Sequence, residues 1–364
     1  MRLVIAANSD LCFDQRLLRI SRSLLRGGIR PYLLGRRFPG SPDSLPEEVE
    51  GTRIVLNRQK GKAAYLELNL RLLARLLVLP ADAICSVDLD TLPACVLAGQ
   101  WRSIPVFHDA HEYMEQVPEV YNRPLTRLLW ETAARTFLPF TRMRYTVSQS
   151  LCLEFEQRYG LPFALVRNMA ETPDQAPVPA GLPKPGYWVF LGAVNQGRGL
   201  EEFLPCLLHS ERPLVVAGDG DVRNRIEQRA EEMGLSGRVY FTGKINPGEA
   251  AAVLQNAFAG INLLTGEGLS YRYSLANKFF DYVQAGIPQI CIGFPEYRHL
   301  MARHQVGELV ENLGLTDLLA AIIRLENPDV YTRLRENALQ AARDWNWKTE
   351  EKNLLDLYRS YIRE

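Results

Sequence analysis

Two consecutive doubly wound α/β domains are the architecture this sequence predicts, on three observations. The chain has 364 residues, too many for one ordinary core and suited to two domains of roughly 150 to 180 residues each. Short apolar runs alternate with amphipathic stretches in both halves, the rhythm of a parallel sheet flanked by helices. Between the halves lies ETPDQAPVPAGLPKPG, rich in proline and glycine and without period, which reads as a linker.

In the first half the strand candidates are LVIAAN, PYLLG, RIVLN, AICSVD, IPVFHDA, RYTVS and ALVRN. A helix from about Asp14 to Arg26 follows the first, and a second helix precedes AICSVD. These segments assign residues 1–168 to the first domain and 169–185 to the linker. The rhythm restarts over residues 186–343 with strands YWVFLGAV, PLVVAGDG, VYFTGKI, AGINLL and PQICIG. Helices are expected near Leu200 to Leu208, over Arg223 to Met233 and over Glu249 to Asn256. In the tail, residues 344–364, Leu354, Leu355, Leu357, Tyr358 and Tyr361 fall on one helical stripe that requires an apolar groove. Two Rossmann-like halves place a ligand at the C-terminal ends of the strands, in an interdomain cleft.

Composition removes several function classes. Forty-two basic and forty-two acidic side chains cancel, so no overall field favours nucleic acid. The six cysteines are scattered without a CxxC pair, which fits buried hydrophobes in a reducing compartment and not a zinc site or disulfide framework. The N-terminal apolar run is too short for a signal peptide, and no stretch approaches the ~18 apolar residues of a transmembrane helix. A cytoplasmic protein is expected.

The strongest local signal is SLANKFFDYVQAGIPQICIG. Ser274 is placed to cap a helix over Asn277 to Gln284, Gly286 to end it, and Pro288 to prevent its continuation. Unpaired N–H groups and the dipole at such an N-terminus favour an anion. Lys278 adds a positive charge there, and Asp281, one turn on, can accept hydrogen bonds from a ribose diol. The chemistry fits a nucleoside diphosphate. The segment resembles the donor-binding motif of GT-B glycosyltransferases of the retaining family 4 type.

Further motifs carry the same resemblance. VFLGAVNQGRGLEEFL is similar to the family's opening of the second domain, with Gly192 at the strand end and Arg198, before Gly199, in the place of the residue that binds the diphosphate. Ala193 replaces an arginine common there, and Lys278 is expected to compensate. VVAGDG resembles the family's Gly-x-Gly, with Gly218 and Gly220 allowing close backbone approach to ligand. Thr242, Gly243 and Lys244 match the loop whose backbone reads the base. Tyr273 stands where the first glutamate of the family pattern would be, and Glu267 nearby is out of register. The resemblance therefore implies donor contacts through the backbone of Ser274, Leu275, Ala276 and Asn277.

In the first half, IPVFHDAHEY ends a buried strand in His108, Asp109, His111 and Glu112, polar groups expected to face the cleft. It resembles a Y-D-A-H-E stretch of a family 4 subgroup, in which the residue matching His111 sits beside the donor sugar. ICSVDLDTLPAC resembles the family's N-D-x-D-T-L turn, placing Asp88 and Asp90 at a strand end, where they hold loops or acceptor. Asp14 and Arg16 match a D-x-R at the first helix start; Asp14 reads equally as an N-terminal helix charge. Arg16, Arg19, Arg22 and Arg26 recur along that helix as a basic face, expected to be solvated or to rest on an anionic membrane.

The resemblance implies transfer, with retention, of a sugar from a nucleoside diphosphate sugar to a glycan or lipid-linked acceptor. His111, Arg198 and Lys278 would be the catalytic set, no metal or other cofactor is expected, and peripheral contact with the inner face of the cytoplasmic membrane is allowed for. A sugar-nucleotide epimerase on the same fold and a non-catalytic glycan- or partner-binding relative are the other readings.

Overall fold

A computed structural model describes residues 1–171, 176–266 and 268–362. Glu267 and residues 172–175 of the expected linker lie outside them. The chain divides into two compact units, Met1–Arg167 with Glu351–Glu364, and Asn168–Glu350.

The first unit, in its described residues, is an all-parallel seven-stranded sheet flanked by helices. In chain order its elements are β1 (Arg2–Ala6), α1 (Gln15–Arg26), β2 (Arg30–Arg37), β3 (Gly51–Val55), α2 (Lys62–Leu76), β4 (Ala83–Val87), α3 (Leu92–Arg102), β5 (Val106–Ala110), α4 (Pro118–Tyr121), α5 (Pro124–Phe137), β6 (Met143–Thr146), α6 (Gln149–Tyr159) and β7 (Ala164–Leu165). The strand order is β3-β2-β1-β4-β5-β6-β7. Every residue of β4 and β5 is buried, as expected for central parallel strands covered on both faces.

The second unit repeats the plan with β8 (Tyr187–Leu191), α7 (Leu200–Phe203), β9 (Leu214–Ala217), α8 (Arg223–Glu232), β10 (Val239–Gly243), α9 (Pro247–Gln255), β11 (Ala257–Asn262), α10 (Gly268–Arg272), α11 (Asn277–Gln284), β12 (Gln289–Ile292), α12 (Pro295–Arg303), β13 (Gly307–Val310), α13 (Leu315–Glu326) and α14 (Pro328–Asp344). Its strands run parallel in the order β10-β9-β8-β11-β12-β13. Trp188, Phe203, Phe279 and Tyr297 fill its core.

The last helix, α15 (Trp347–Ile362), packs on the first unit. Tyr358 stands edge-on to Phe107 at 5.5 Å, and its hydroxyl lies 3.2 Å from that of Tyr145. Gly27 permits the approach, since a Cβ there would lie 2.4 Å from Leu355 Cδ2. Burying Leu354 and Tyr358 stabilises this docking by about 1.5–3 kcal/mol each. The apolar stripe found in the tail is the face so buried.

Three local expectations are corrected. Pro205 converts the chain after Phe203 into a 3-10 turn over Leu204–His209, so α7 is shorter than expected. Ser274 does not cap α11: the N-cap is Ala276, without a side-chain cap, and Ser274 Oγ donates to Tyr271 O at 2.9 Å. The basic face of α1 is closed over its first half, while Arg26 remains exposed. Arg16 is 4% and Arg19 9% exposed, while Arg22 pairs with Glu48 and Arg26 with Glu351.

Candidate functional site

Each unit carries a polar cluster at the C-terminal edge of its own sheet. In the second unit this cluster is built by two close approaches. The loop after β8 packs on the loop after β9: a Cβ at Gly218, whose φ is +153°, would lie 1.9 Å from Gly192 O, and one at Gly220 would lie 2.4 Å from Val194 O. The two glycines therefore let the two loops meet. Gly197 and Gly199, with φ of +77° and +76°, flank Arg198. A Cβ on Gly199 would lie 2.2 Å from Leu263 Cβ, and one on Gly197 2.9 Å from Thr265 Oγ1. Two left-handed glycines thus fix Arg198 against the chain that leaves β11, with its guanidinium 4.9 Å from the Tyr271 ring centre.

Helix α11 is anchored by Tyr282, which is fully buried. Its hydroxyl accepts from Leu191 N at 3.1 Å and lies 3.2–3.3 Å from the carbonyls of Ile261 and Val189. Gly260 leaves room for its ring. One turn earlier on the same face, Lys278 is buried, with Nζ 3.5 Å from the Phe190 ring centre. Burial and then the neighbouring Arg198 charge push the Lys278 ammonium well below its ordinary range. Among the described residues Lys278 Nζ and Arg198 Nε have no hydrogen-bond partner, nor have Asn262 Oδ1 and Thr265 Oγ1.

The structure thus brings Arg198 and Lys278 together and adds Asn262, Thr265 and Tyr271, which sequence reasoning missed. The available signal was AGINLLT, where a buried strand ends in an amide and then a hydroxyl. Leu275 is buried and Ala276 N donates to Tyr297 Oη at 3.1 Å. Asn277 is exposed, and its Oδ1 accepts from Asn168. Tyr273 N and Ser274 N donate to Leu269 O and Tyr271 O, so these two amides are committed within the protein. Asp281 is half-buried on α11. Thr242 and Gly243 end β10, with Thr242 Oγ1 on Gly243 O, and Lys244 is exposed.

The cluster of the first unit centres on Asp109. His108 and Asp109 lie inside β5 and are buried, where a strand end facing a cleft had been expected. Burial alone would raise the Asp109 carboxyl, but Arg16 at 2.9 Å and His111 at 2.8 Å hold it well below the carboxylate range. Arg16 also donates to Val166 O at 3.2 Å. Burial disfavours a charged His111, but Asp109 and then Asp88 overcome it and raise the imidazole to about 9. Nε2 therefore carries a proton toward Asp109. Its 3.0 Å separation from Arg16 Nε is then a close approach of two donors and not a hydrogen bond.

Asp88 adopts a left-handed φ of 57°, and its Oδ1 accepts from the amides of His111 and Glu112 at 2.7 and 3.1 Å. Burial pushes Asp88 up to about 7 despite His111. Asp90 accepts from Asn8 at 2.7 Å and is likewise raised by burial, to about 6. Glu112 is exposed. Asp14 caps α1: Oδ1 accepts from Leu17 N at 2.9 Å and Oδ2 from Ser9 Oγ at 2.6 Å. His108 faces Ser86 Oγ at 2.8 Å, and burial holds it neutral, at about 3.

The comparisons with known proteins point to glycosyltransferases. Residues 183–345 match the family described as glycosyl transferases group 1, and residues 15–169 that described as glycosyltransferase family 4. An alpha-monoglucosyldiacylglycerol synthase of Streptococcus pneumoniae is 35% identical over 121 residues, 32% of this chain and 25% of that protein. The match thus spans about a quarter of that relative's length. Sucrose-phosphate synthase of Thermosynechococcus elongatus superposes with a TM-score of 0.80 at 17% identity, over 100% of this chain and 99% of its own. Anabaena HepE in complex with UDP and glucose does so at 0.78 and 14%, over 99% and 100%. WaaG, a glycosyltransferase involved in lipopolysaccharide biosynthesis, gives 0.72 at 15%, over 98% and 99%. At these identities the likeness is one of fold, the GT-B architecture. No helix of the described residues is long and apolar enough to cross a membrane.

Proposed function

We propose that this chain, which belongs to the group 1 glycosyltransferases of family 4 type, transfers a sugar from a nucleoside diphosphate sugar to a hydroxyl of a glycan or lipid-linked acceptor. The setting is cytoplasmic synthesis of cell-envelope material or polysaccharide. The observation that carries the reading is the pair Arg198 and Lys278. They are a guanidinium and a buried amine whose charge burial and Arg198 disfavour, neither in an ion pair among the described residues, beside the uncapped N-terminus of α11. Like charges held together in a protein interior are costly unless an anion joins them. A diphosphate is that anion, and its charge grows as the glycosidic bond breaks, so the pair favours the transition state over the ground state. The UDP held by the HepE structure makes uridine the first base to test.

The protonated state of His111 supports a reaction without a protein base. An imidazole raised to about 9 cannot accept a proton near neutral pH, but it can present a positive N–H to the transferred sugar. As the bond from C1 to the diphosphate oxygen breaks and the acceptor oxygen bonds to C1 on the same face, the acceptor proton passes to an oxygen of the departing diphosphate. Retention follows from that geometry. Arg198, and Lys278 once the diphosphate restores its charge, meet the charge of the leaving group, so the reaction as proposed uses no metal and proceeds in the presence of EDTA.

For a lipid-linked acceptor, contact with an anionic bilayer is proposed for α5 instead of α1. Leu125, Leu128 and Leu129 are exposed there, beside Arg123 and Arg127, the composition of an interfacial helix.

Thermal-shift measurements with UDP, GDP, ADP and their sugar conjugates test the reading, because a ligand of the native state raises apparent stability. Stabilisation by one nucleotide, followed by its release only when acceptor is present, is the expected result. Interconversion of the sugar without acceptor would make the protein an epimerase. Failure to bind every nucleotide would make it a non-catalytic relative.

A further inference from the structure

A second site lies in the first unit, at the C-terminal ends of β1 and β2, in a cavity of about 170 Å3 lined by Asn8, Arg36, Gln59, Lys60, Gly61 and Tyr65, among others. Ligand pockets for whole small molecules usually measure about 300–1,000 Å3, so this one suits a single group of a larger molecule. Its chemistry is positive. Arg36 is 5% exposed, yet among the described residues it forms no ion pair. Nη2 donates to Gln59 O and Oε1 at 2.8 Å, Nη1 to Asn8 Oδ1 at 3.3 Å, and Nε has no partner.

Asp90 and Glu67 lie near enough to act on the Arg36 charge, but neither forms an ion pair with it among the described residues. Asp90 is linked to it only through Asn8, whose Nδ2 donates to Asp90 Oδ2 at 2.7 Å. Glu67 accepts from the amides of Asn57 and Arg58 and from Arg71. Lys60 is an exposed ammonium on the rim. The 15-residue helix α2 begins at Lys62 behind Gly61, which has a φ of 84° and supplies no side-chain cap, so the first amides of the helix and its dipole face the same rim. A buried guanidinium with no directly paired carboxylate among the described residues, a lysine and an uncapped helix N-terminus together make an oxyanion site. Tyr65, held edge-on against Trp130 at 5.2 Å, offers a ring beside it.

We propose that this pocket binds the phosphate or carboxylate of an anionic acceptor. The word acceptor rests on the transfer function proposed above; the anion site does not. Calorimetric titration of the full-length protein with inorganic phosphate and with methyl glucuronide tests it, on wild type, Arg36→Gln, Lys60→Glu and Arg198→Gln. Binding of either probe by the wild type, weakened about tenfold or more in Arg36→Gln and Lys60→Glu, is expected, and Arg198→Gln should remove only phosphate bound beside Lys278 and leave binding at this pocket in place. Phosphate alone or glucuronide alone as the bound probe each supports the site and names its anion. No binding by the wild type, equal binding by Lys60→Glu, or loss confined to Arg198→Gln would overturn it. Lys60 is exposed, so its variant keeps the test valid if Arg36→Gln fails to fold. A protein that binds these anions but not nucleotides would refute the transfer reading and leave the site standing.

Discussion

Lys278 Nζ stands 3.5 Å from the centre of the Phe190 ring, buried and without a hydrogen-bond acceptor among the described residues. A side chain so placed weakens the folded protein, because an unsatisfied buried polar group costs about 1–3 kcal/mol. Lys278→Met keeps the length and apolar contact of the side chain and removes that cost. The variant is expected to melt higher, by roughly 2–4 °C for each kcal/mol recovered, while losing transferase activity. Calorimetry beside an activity assay checks this, and a variant that is less stable and inactive would point to a structural lysine.

Gly199→Ala tests how Arg198 is held. The new Cβ would meet Leu263 at 2.2 Å with φ at +76°, and left-handed strain in a non-glycine residue costs about 1–3 kcal/mol. Lower stability together with weaker donor binding is expected, since the loop that moves carries Arg198. Donor affinity equal to wild type would separate the glycine from the site.

Asp109→Ala should be among the most damaging substitutions in the first unit. It leaves the buried Arg16 guanidinium without its 2.9 Å partner, and breaking a buried pair in this way typically costs about 3–5 kcal/mol. Urea unfolding reads the effect. A loss below about 1 kcal/mol would show that water reaches Arg16 readily.

The pH dependence follows from His111. Its folded value, about 9, lies above the unfolded value of about 6.5. The stability it contributes is therefore complete below about pH 6.5 and is lost as pH rises through 9. By linkage the full effect is on the order of 3 kcal/mol. Melting temperatures recorded from pH 7.5 to 9.5 should fall in the wild type and fall less in His111→Gln. Parallel curves would remove the charged imidazole from the account.

The repeated α/β plan was legible because apolar runs of strand length separated by amphipathic stretches leave few other folds. Strand β13 was not, because Glu308 interrupts its apolar run VGELV. The face of α1 was misread for a related reason: arginines spaced by three or four look solvated until a buried carboxylate from a distant strand, Asp109, is brought to Arg16. The contact of Gly218 with the Gly192 carbonyl was not legible, since a sequence pattern records that a side chain is excluded and not what excludes it. Arg36 carried no signal at all. Only the fold shows that it is buried without an ion pair among the described residues.

The central claim is that Arg198 and Lys278 together hold a nucleoside diphosphate. Calorimetric titration of UDP, GDP and ADP into wild type, Arg198→Ala and Lys278→Ala tests it most directly. One of the three nucleotides should bind the wild type, and each substitution should weaken that binding by about 2 kcal/mol or more, roughly 30-fold. Equal affinity in all three proteins would contradict the assignment.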